Sequence, residues 1–240
     1  MRIARAWTDD DIVRGEYDDG SVHTDEGTYD VCDGDAELLA PAEPSALYCV
    51  GRNYGAKVDQ MDYDVPDDPD FFIKPPTSVL APEADIPYPA WTDELTYAGE
   101  LAAVIGERAH DVAPEAVPDV VEGYTILNDV DALDQHRRTA RKAFDGSGPL
   151  GPWIETDVDP YGLAMHTDID GERRQEANTD QMLFDPYETV AFLSERFTFR
   201  PGDVISFGSP ANPGLIEPGT TVEITYEGVG TLRNGVAAPE

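Results

Sequence analysis

The chain has 240 residues, and its 16 Lys and Arg stand against 49 Asp and Glu, a formal charge of −33 at pH 7. A surface this negative repels phosphate backbones and anionic leaflets, so no nucleic acid and no membrane surface is expected as a partner. The hydrophobic fraction of 40 %, with aromatic residues spread along the chain, argues against disorder and for a folded protein with a sizeable core.

From the start, Met1 to Trp7 runs into Asp9-Asp10-Asp11 and not into a signal-type apolar core, and no apolar run approaches the ~20 residues that cross a bilayer. A cytoplasmic protein is expected. Arg2 to Trp7 and Ile12 to Tyr17 read as strands, with Asp18-Asp19-Gly20 as a turn. Pro41 and Pro44 then punctuate the chain, which predicts a small N-terminal β-domain over 1–44 and a main domain over 45–240. The acids Asp62, Asp64, Asp67, Asp68 and Asp70 lack the glycine and closing glutamate of a calcium loop and read as a solvated face.

Leu101 to Gly106 and Val222 to Tyr226 are strand-like, and Asp170-Gly171 sits between two strand-length segments as a hairpin turn. One helix is expected from Ala132 to Ala143. A second opens at Asp185-Pro186, where Asp caps, Pro takes the first turn, and Val190, Leu193 and Phe197 form an apolar stripe. The class is mixed and mostly β. Cys32 and Cys49 are too few for a disulfide scaffold or thiolate metal site and read as buried small hydrophobes.

Lysine occurs only at positions 57, 74 and 142. At molar salt the Debye length falls to ~3 Å, so a surface of acids with few lysines suits a salt-rich cytoplasm. Lysines kept in such a chain point to places where an ammonium is required.

No phosphate-binding loop, Gly-x-Ser-x-Gly elbow, His-Glu-x-x-His or dinucleotide fingerprint is present. Polar residues inside apolar or Gly/Pro-rich surroundings carry the remaining signal. They are Gly51-Arg52-Asn53-Tyr54-Gly55-Ala56-Lys57, Phe71-Phe72-Ile73-Lys74-Pro75-Pro76, Tyr97-Ala98-Gly99-Glu100-Leu101, Gly123 to Val130 with Asn128-Asp129, and Lys142 to Trp153 with Pro149-Leu150-Gly151-Pro152. With Gln175 to Thr179, Pro201-Gly202-Asp203, Gly208-Ser209-Pro210 and Pro218 to Glu223, this order and spacing resembles the fumarylacetoacetate hydrolase family over roughly residues 48 to 236.

The resemblance implies a mixed β-sandwich roll with a few short helices, usually a homodimer. It also implies a divalent cation, Mg²⁺, Mn²⁺ or Ca²⁺, and a small 2-oxo or β-diketo acid undergoing C–C hydrolysis, decarboxylation or tautomerisation. A hard cation held by carboxylates would chelate the substrate and stabilise an enolate. Glu100 and Asp129 stand at metal-ligand positions, but Ala98 replaces a third carboxylate, a vacancy that a water or a nearby acid such as Asp93 or Glu94 would have to fill. Lys74, Lys142 and Ser209 stand at substrate-binding positions, Lys142 facing metal and substrate.

Where the family has a His and Glu pair on a lid, this chain has Lys57 and Gln60, and where it has an arginine, Leu133, with Arg137 a helical turn onward. Lys57, His136 and Lys142 are the candidate catalytic residues, His136 being the acid/base candidate for neutral pH. His23, His110 and His166 receive no role and no partner. Plain structural readings stand beside these: ion pairing for Glu100 and Lys57, a turn aspartate for Asp129, a helix-surface histidine for His136. At the level of function the alternative is a catalytically lapsed family member that binds an oxo acid or a partner without turnover, and beyond it an unrelated acidic interaction protein. Loss of the His and Glu pair favours tautomerisation or decarboxylation over hydrolysis, which also needs an activated water.

Overall fold

Alternation along the strand Gly99–Ile105 gives the molecule two cores. Leu101, Ala103 and Ile105 face one apolar cluster, while Ala102 and Val104 face another, so the strand is covered on both sides. The computed structural model describes residues 1–32, 34 and 36–239. A 12-stranded sheet runs through the molecule, and Gly99–Ile105 sits near its middle between Val121–Asn128 and Val204–Ser206. Beyond Val204–Ser206 come Leu47–Gly51, paired parallel, and Asp70–Lys74, paired antiparallel.

A second, four-stranded sheet is ordered Glu172–Asn178, Ala164–Ile169, Thr221–Tyr226, Gly230–Gly235. Its Met165, Ile169, Val222, Ile224, Tyr226 and Leu232 pack against Leu101, Ala103 and Ile105 as the two layers of a sandwich. The other cluster is contributed largely by the large sheet itself, with Leu47, Cys49, Leu127, Leu150, Ile154 and Val204 all buried together. Residues on one face of a single sheet bury each other only if the sheet curls, which makes the large sheet a roll. The mostly β class and the sandwich roll are therefore observed.

The expected strands, the turn at Asp19-Gly20 and the Asp170-Gly171 hairpin are present. The N-terminal strand Arg2–Thr8 pairs with Ile12–Asp18 on one side and with Gly148–Glu155 on the other, so the first strands continue the large sheet. Pro186–Ser194 is helical and capped as its sequence requires, the Asp185 side chain accepting from the Tyr187 and Glu188 backbone N–H groups at 2.8 and 2.9 Å.

The helix expected over 132–143 shrinks to Arg138–Lys142. Asp131 and Ala132 instead pair with Thr96 and Leu95, and Arg137 adopts a left-handed φ of 73°, which an α-helix cannot contain. Backbone pairing from the 95–96 segment thus outweighs local helix propensity here. Cys49 is buried as expected, but Cys32 is exposed, because the short hairpins around it have little core to offer.

Candidate active site

The strand pairings bring five ends together at one edge of the large sheet. The start of Gly99–Ile105 lies beside the ends of Val121–Asn128 and Val204–Ser206, and next to them the end of Leu47–Gly51 faces the start of Asp70–Lys74. Loops leaving these ends enclose a cavity of about 570 Å³, lined among others by Lys57, Glu100, Asp129, His136, Lys142 and Ser209. Of the seven candidate metal, substrate and catalytic residues only Lys74 does not border it. Glu100 and Asp129 are each only 2 % exposed.

Glu100 owes its direction to its neighbour Gly99. A Cβ on Gly99 would meet Ile224 Cγ2 at 2.7 Å, so position 99 packs against the second sheet and alternation sends Glu100 to the opposite face. There its Oε2 accepts from Ser206 Oγ at 2.6 Å and from the Gly208 backbone N–H at 3.2 Å. Gly208 supplies that N–H from a left-handed φ of 83°, and a side chain there would crowd the Val50 carbonyl at 3.0 Å. Burial, and next the Asp129 charge, push the Glu100 carboxyl up to about 7, with the Ser206 hydrogen bond and Lys142 and Lys57 opposing.

Asp129 is fixed by its own backbone, which donates to the Ala98 carbonyl at 2.9 Å, while Asn128 Oδ1 accepts from the Ala98 N–H at 3.0 Å. Its carboxylate lies between two ammonium groups. Lys74 Nζ is 3.0 Å from Oδ1, and Lys142 Nζ donates to Oδ2. Burial alone would raise this carboxyl, but Lys142 and Lys74 outweigh it and hold Asp129 below the ordinary aspartate range. The converse holds for Lys142, where burial is outweighed by Asp129 and Asp131 and the ammonium is kept well above the usual lysine range.

Lys74, expected among the substrate-binding residues, does not border the cavity. It has no exposed surface, and its Nζ donates to the carbonyls of Val130, Lys142 and Ser147 at 3.0, 2.6 and 2.8 Å. With every donor turned inward it ties the 129–147 segment to the sheet and supports Asp129 from behind, out of reach of a substrate.

Lys57 lies on the short helix Gly55–Gln60, and its Nζ donates to Ser209 Oγ on the facing loop. Burial lowers the Lys57 pKa; Glu100, Asp129 and Asp131 favour its charged form, and Lys142 opposes it. Gln60 turns away from the cavity to Asn212, donating to its Oδ1 at 3.2 Å and accepting from its N–H at 2.8 Å. Asn53 anchors the root of the same loop by donating to the Phe184 and Phe207 carbonyls, both at 2.9 Å.

His136 lines the mouth and is exposed, carried by the turn before Arg138–Lys142 and not by a helix face. Leu133 and Arg137 both border the cavity, as their positions suggested. His23, His110 and His166 lie outside it, and each has a local partner that the sequence did not reveal: Thr28 at 3.0 Å, the Phe197 carbonyl at 3.3 Å and Asp168 at 3.6 Å.

Sequence reasoning missed Asp131, Arg138 and Arg141. Asp131 borders the cavity and accepts from Arg141 Nε at 2.8 Å, with Lys142 Nζ 3.2 Å away. Arg138 forms a two-pronged pair with Asp70 at 2.7 and 2.6 Å, so one acid of the expected solvated face holds an arginine of the cavity wall. Their signal was the spacing: Asp131 lies two residues after Asp129, and the arginines flank Lys142.

A hard cation needs several oxygen ligands at about 2.0–2.6 Å. Among the described residues no group of three or more His, Cys, Asp and Glu side chains is placed to hold one. Ala98 offers no donor, and Asp93 and Glu94 are exposed residues outside the cavity wall. Both Asp129 oxygens already face ammonium groups. The residues present do not make up the metal centre that the resemblance implies.

Residues 46–237 match the fumarylacetoacetate (FAA) hydrolase C-terminal family. The chain belongs to this family. The structure of 5-carboxymethyl-2-hydroxymuconate delta-isomerase from Mycobacterium smegmatis is 37 % identical and superposes with a TM-score of 0.90 over 100 % of this chain and 99 % of that one. Fumarylpyruvate hydrolase from Pseudomonas aeruginosa, solved in complex with Mn²⁺ and pyruvate, is 30 % identical with a TM-score of 0.76 over 92 % of this chain and 98 % of that one. The 4-hydroxyphenylacetate degradation bifunctional isomerase/decarboxylase of Salmonella dublin is 33 % identical over 202 residues, covering 81 % of this chain and 47 % of that protein. Fumarylacetoacetate hydrolase family relatives thus include isomerases, decarboxylases and hydrolases, and one was solved with a divalent cation.

Proposed function

We propose that this family member is an enzyme acting on a small, anionic 2-oxo or β-diketo acid by tautomerisation or decarboxylation. The observation that carries the reading is the convergence of Lys57, Glu100, Asp129, Lys142 and Ser209 on one cavity from five separate segments. Arg52, Arg137, Arg138 and Arg141 border the same cavity, so a chain of net charge −33 gathers its scarce cations around one space. Such a concentration suits a substrate with carboxylate groups. Relatives named as isomerases and as an isomerase/decarboxylase support the reaction class.

In this reading Lys142 grips the substrate carboxylate, held in place by Asp129 and Asp131. Ser209 bonds the distal polar group. Glu100 lies inside the wall, where a carboxyl can carry a proton between neighbouring atoms of an enol. Hydrolysis is the weaker reading because Gln60, at the position of the lid acid, is bonded to Asn212. We place the enzyme in a salt-rich cytoplasm, as a homodimer.

The test is a spectrophotometric assay at high KCl of enol-to-keto conversion and of oxaloacetate decarboxylation. Turnover is expected, falling at least about 100-fold in Lys142→Met. Oxalate binding without turnover on either substrate would establish the lapsed, binding-only alternative instead. Sedimentation velocity checks the dimer.

A further inference from the structure

The disagreement between the donor set and the family's divalent cation has a specific form. The third carboxylate is missing at Ala98, two residues before Glu100, and an amine is present at Lys57, which borders the same cavity as Glu100. Three acids border the cavity, Glu100, Asp129 and Asp131, and each already has partners: Ser206 and Gly208 for Glu100, Lys74 and Lys142 for Asp129, Arg141 and Lys142 for Asp131. A divalent ion entering here would have to displace an ammonium group. Lys74 cannot yield, because it is fully buried and bonded to three carbonyls. Leaving Lys142 uncompensated beside such an ion would cost more still.

We infer that this chain holds its oxo acid without a divalent cation, the Lys57 ammonium together with that of Lys142 supplying the positive charge that the substrate's carboxylate and oxo oxygens meet. Ser209 fixes Lys57 by accepting its hydrogen bond, and helix Gly55–Gln60 is in turn latched to the facing loop through Gln60 and Asn212. The amine is thus positioned before the ligand arrives, as a metal would be. The loss of a carboxylate at Ala98 and the gain of an amine at Lys57 form one exchange. With a cation gone, one fewer negative group is needed, and the charge returns on a side chain.

This inference rests on the oxo-acid reading above, and the experiment separates the two. Calorimetry on the full chain at high KCl uses Mn²⁺ alone, then oxalate in chelator-treated buffer, then oxalate with Mn²⁺. Expected are no saturable Mn²⁺ binding and saturable oxalate binding that Mn²⁺ leaves unchanged. Lys57→Met should weaken oxalate at least tenfold. The double variant Ala98→Glu with Lys57→Gln should gain saturable Mn²⁺ binding. One-to-one Mn²⁺ binding by the unaltered chain, or oxalate binding that requires Mn²⁺, overturns the inference while the oxo-acid reading stands. Oxalate bound under neither condition overturns the oxo-acid reading and the inference with it. The decisive arms use the unaltered protein, so a variant that fails to fold does not obscure the result.

Discussion

Lys74 Nζ lies 3.0 Å from Asp129 Oδ1, and neither residue is available to solvent in more than trace amount. A buried pair of this kind is expensive to break from one side, because the partner is left charged and unmatched.

Replacing Lys74 by Met should therefore cost about 3–5 kcal/mol of stability, read as a lowered urea midpoint. The loss should shrink when Asp129→Asn is added, because the stranded charge is then removed. Oxalate affinity in the folded fraction of Lys74→Met should change far less than in Lys57→Met, since Lys74 does not border the cavity. A stable Lys74→Met protein with abolished oxalate binding would return Lys74 to the substrate-binding residues.

Glu100 makes stability depend on pH in a direction opposite to most carboxylates. Its carboxyl is raised from 4.5 to about 7 by burial, so across that window the native state binds a proton that the unfolded chain has released. Stability from this group is complete below about pH 4.5 and is lost as pH rises through about 7, by on the order of 3 kcal/mol in total. Glu100→Gln removes the titration. Urea unfolding of both proteins at fixed salt should show the unaltered chain losing ground to Glu100→Gln between those pH values, and parallel curves would contradict the raised carboxyl.

The charge of −33 should make the fold salt-dependent. Raising KCl from about 0.1 M to about 1 M shortens the Debye length from ~10 to ~3 Å and should raise the melting temperature on the order of 10 °C. A melting temperature that ignores KCl would mean that the acids do not repel one another enough to matter.

Gln60 and Asn212 form a two-way latch between the short helix and the loop that carries Ser209. Both residues are exposed or nearly so, so Gln60→Ala should cost no more than about 1 kcal/mol globally. Its local effect should be larger in proportion: amide exchange within Gly55–Gln60 should quicken about fivefold while the sheet is unchanged. Uniform exchange across the chain would show that the latch does not govern this helix.

How far the site could be read from the sequence depended on whether the signal was local. The mostly β class, a strand through Leu101 and Ile105 and the capped helix after Asp185 follow from alternation and capping, which a short window contains, whereas the sandwich roll was legible only through the family resemblance. Glu100, Asp129, Lys142 and Ser209 were legible through the order of their motifs. Lys74 was legible as part of the cluster, but its burial was not, because whether an amine faces a cavity or three carbonyls is decided by the path of the 129–147 segment. The short helix at Arg138–Lys142 was overextended because the pairing of Asp131 with Thr96 spans distant positions. Arg138's partnership with Asp70 lay hidden for the same reason.

The ring of arginines at the cavity mouth belongs to a molecule whose remaining surface is strongly acidic, so a dianionic molecule approaching from afar meets repulsion before it meets attraction. In dilute buffer the distant field dominates and encounters are discouraged. In concentrated KCl that field is confined to the immediate surface, and only the nearby guanidinium groups act. Capture of such a molecule should quicken as ions are added, the reverse of ordinary electrostatic steering.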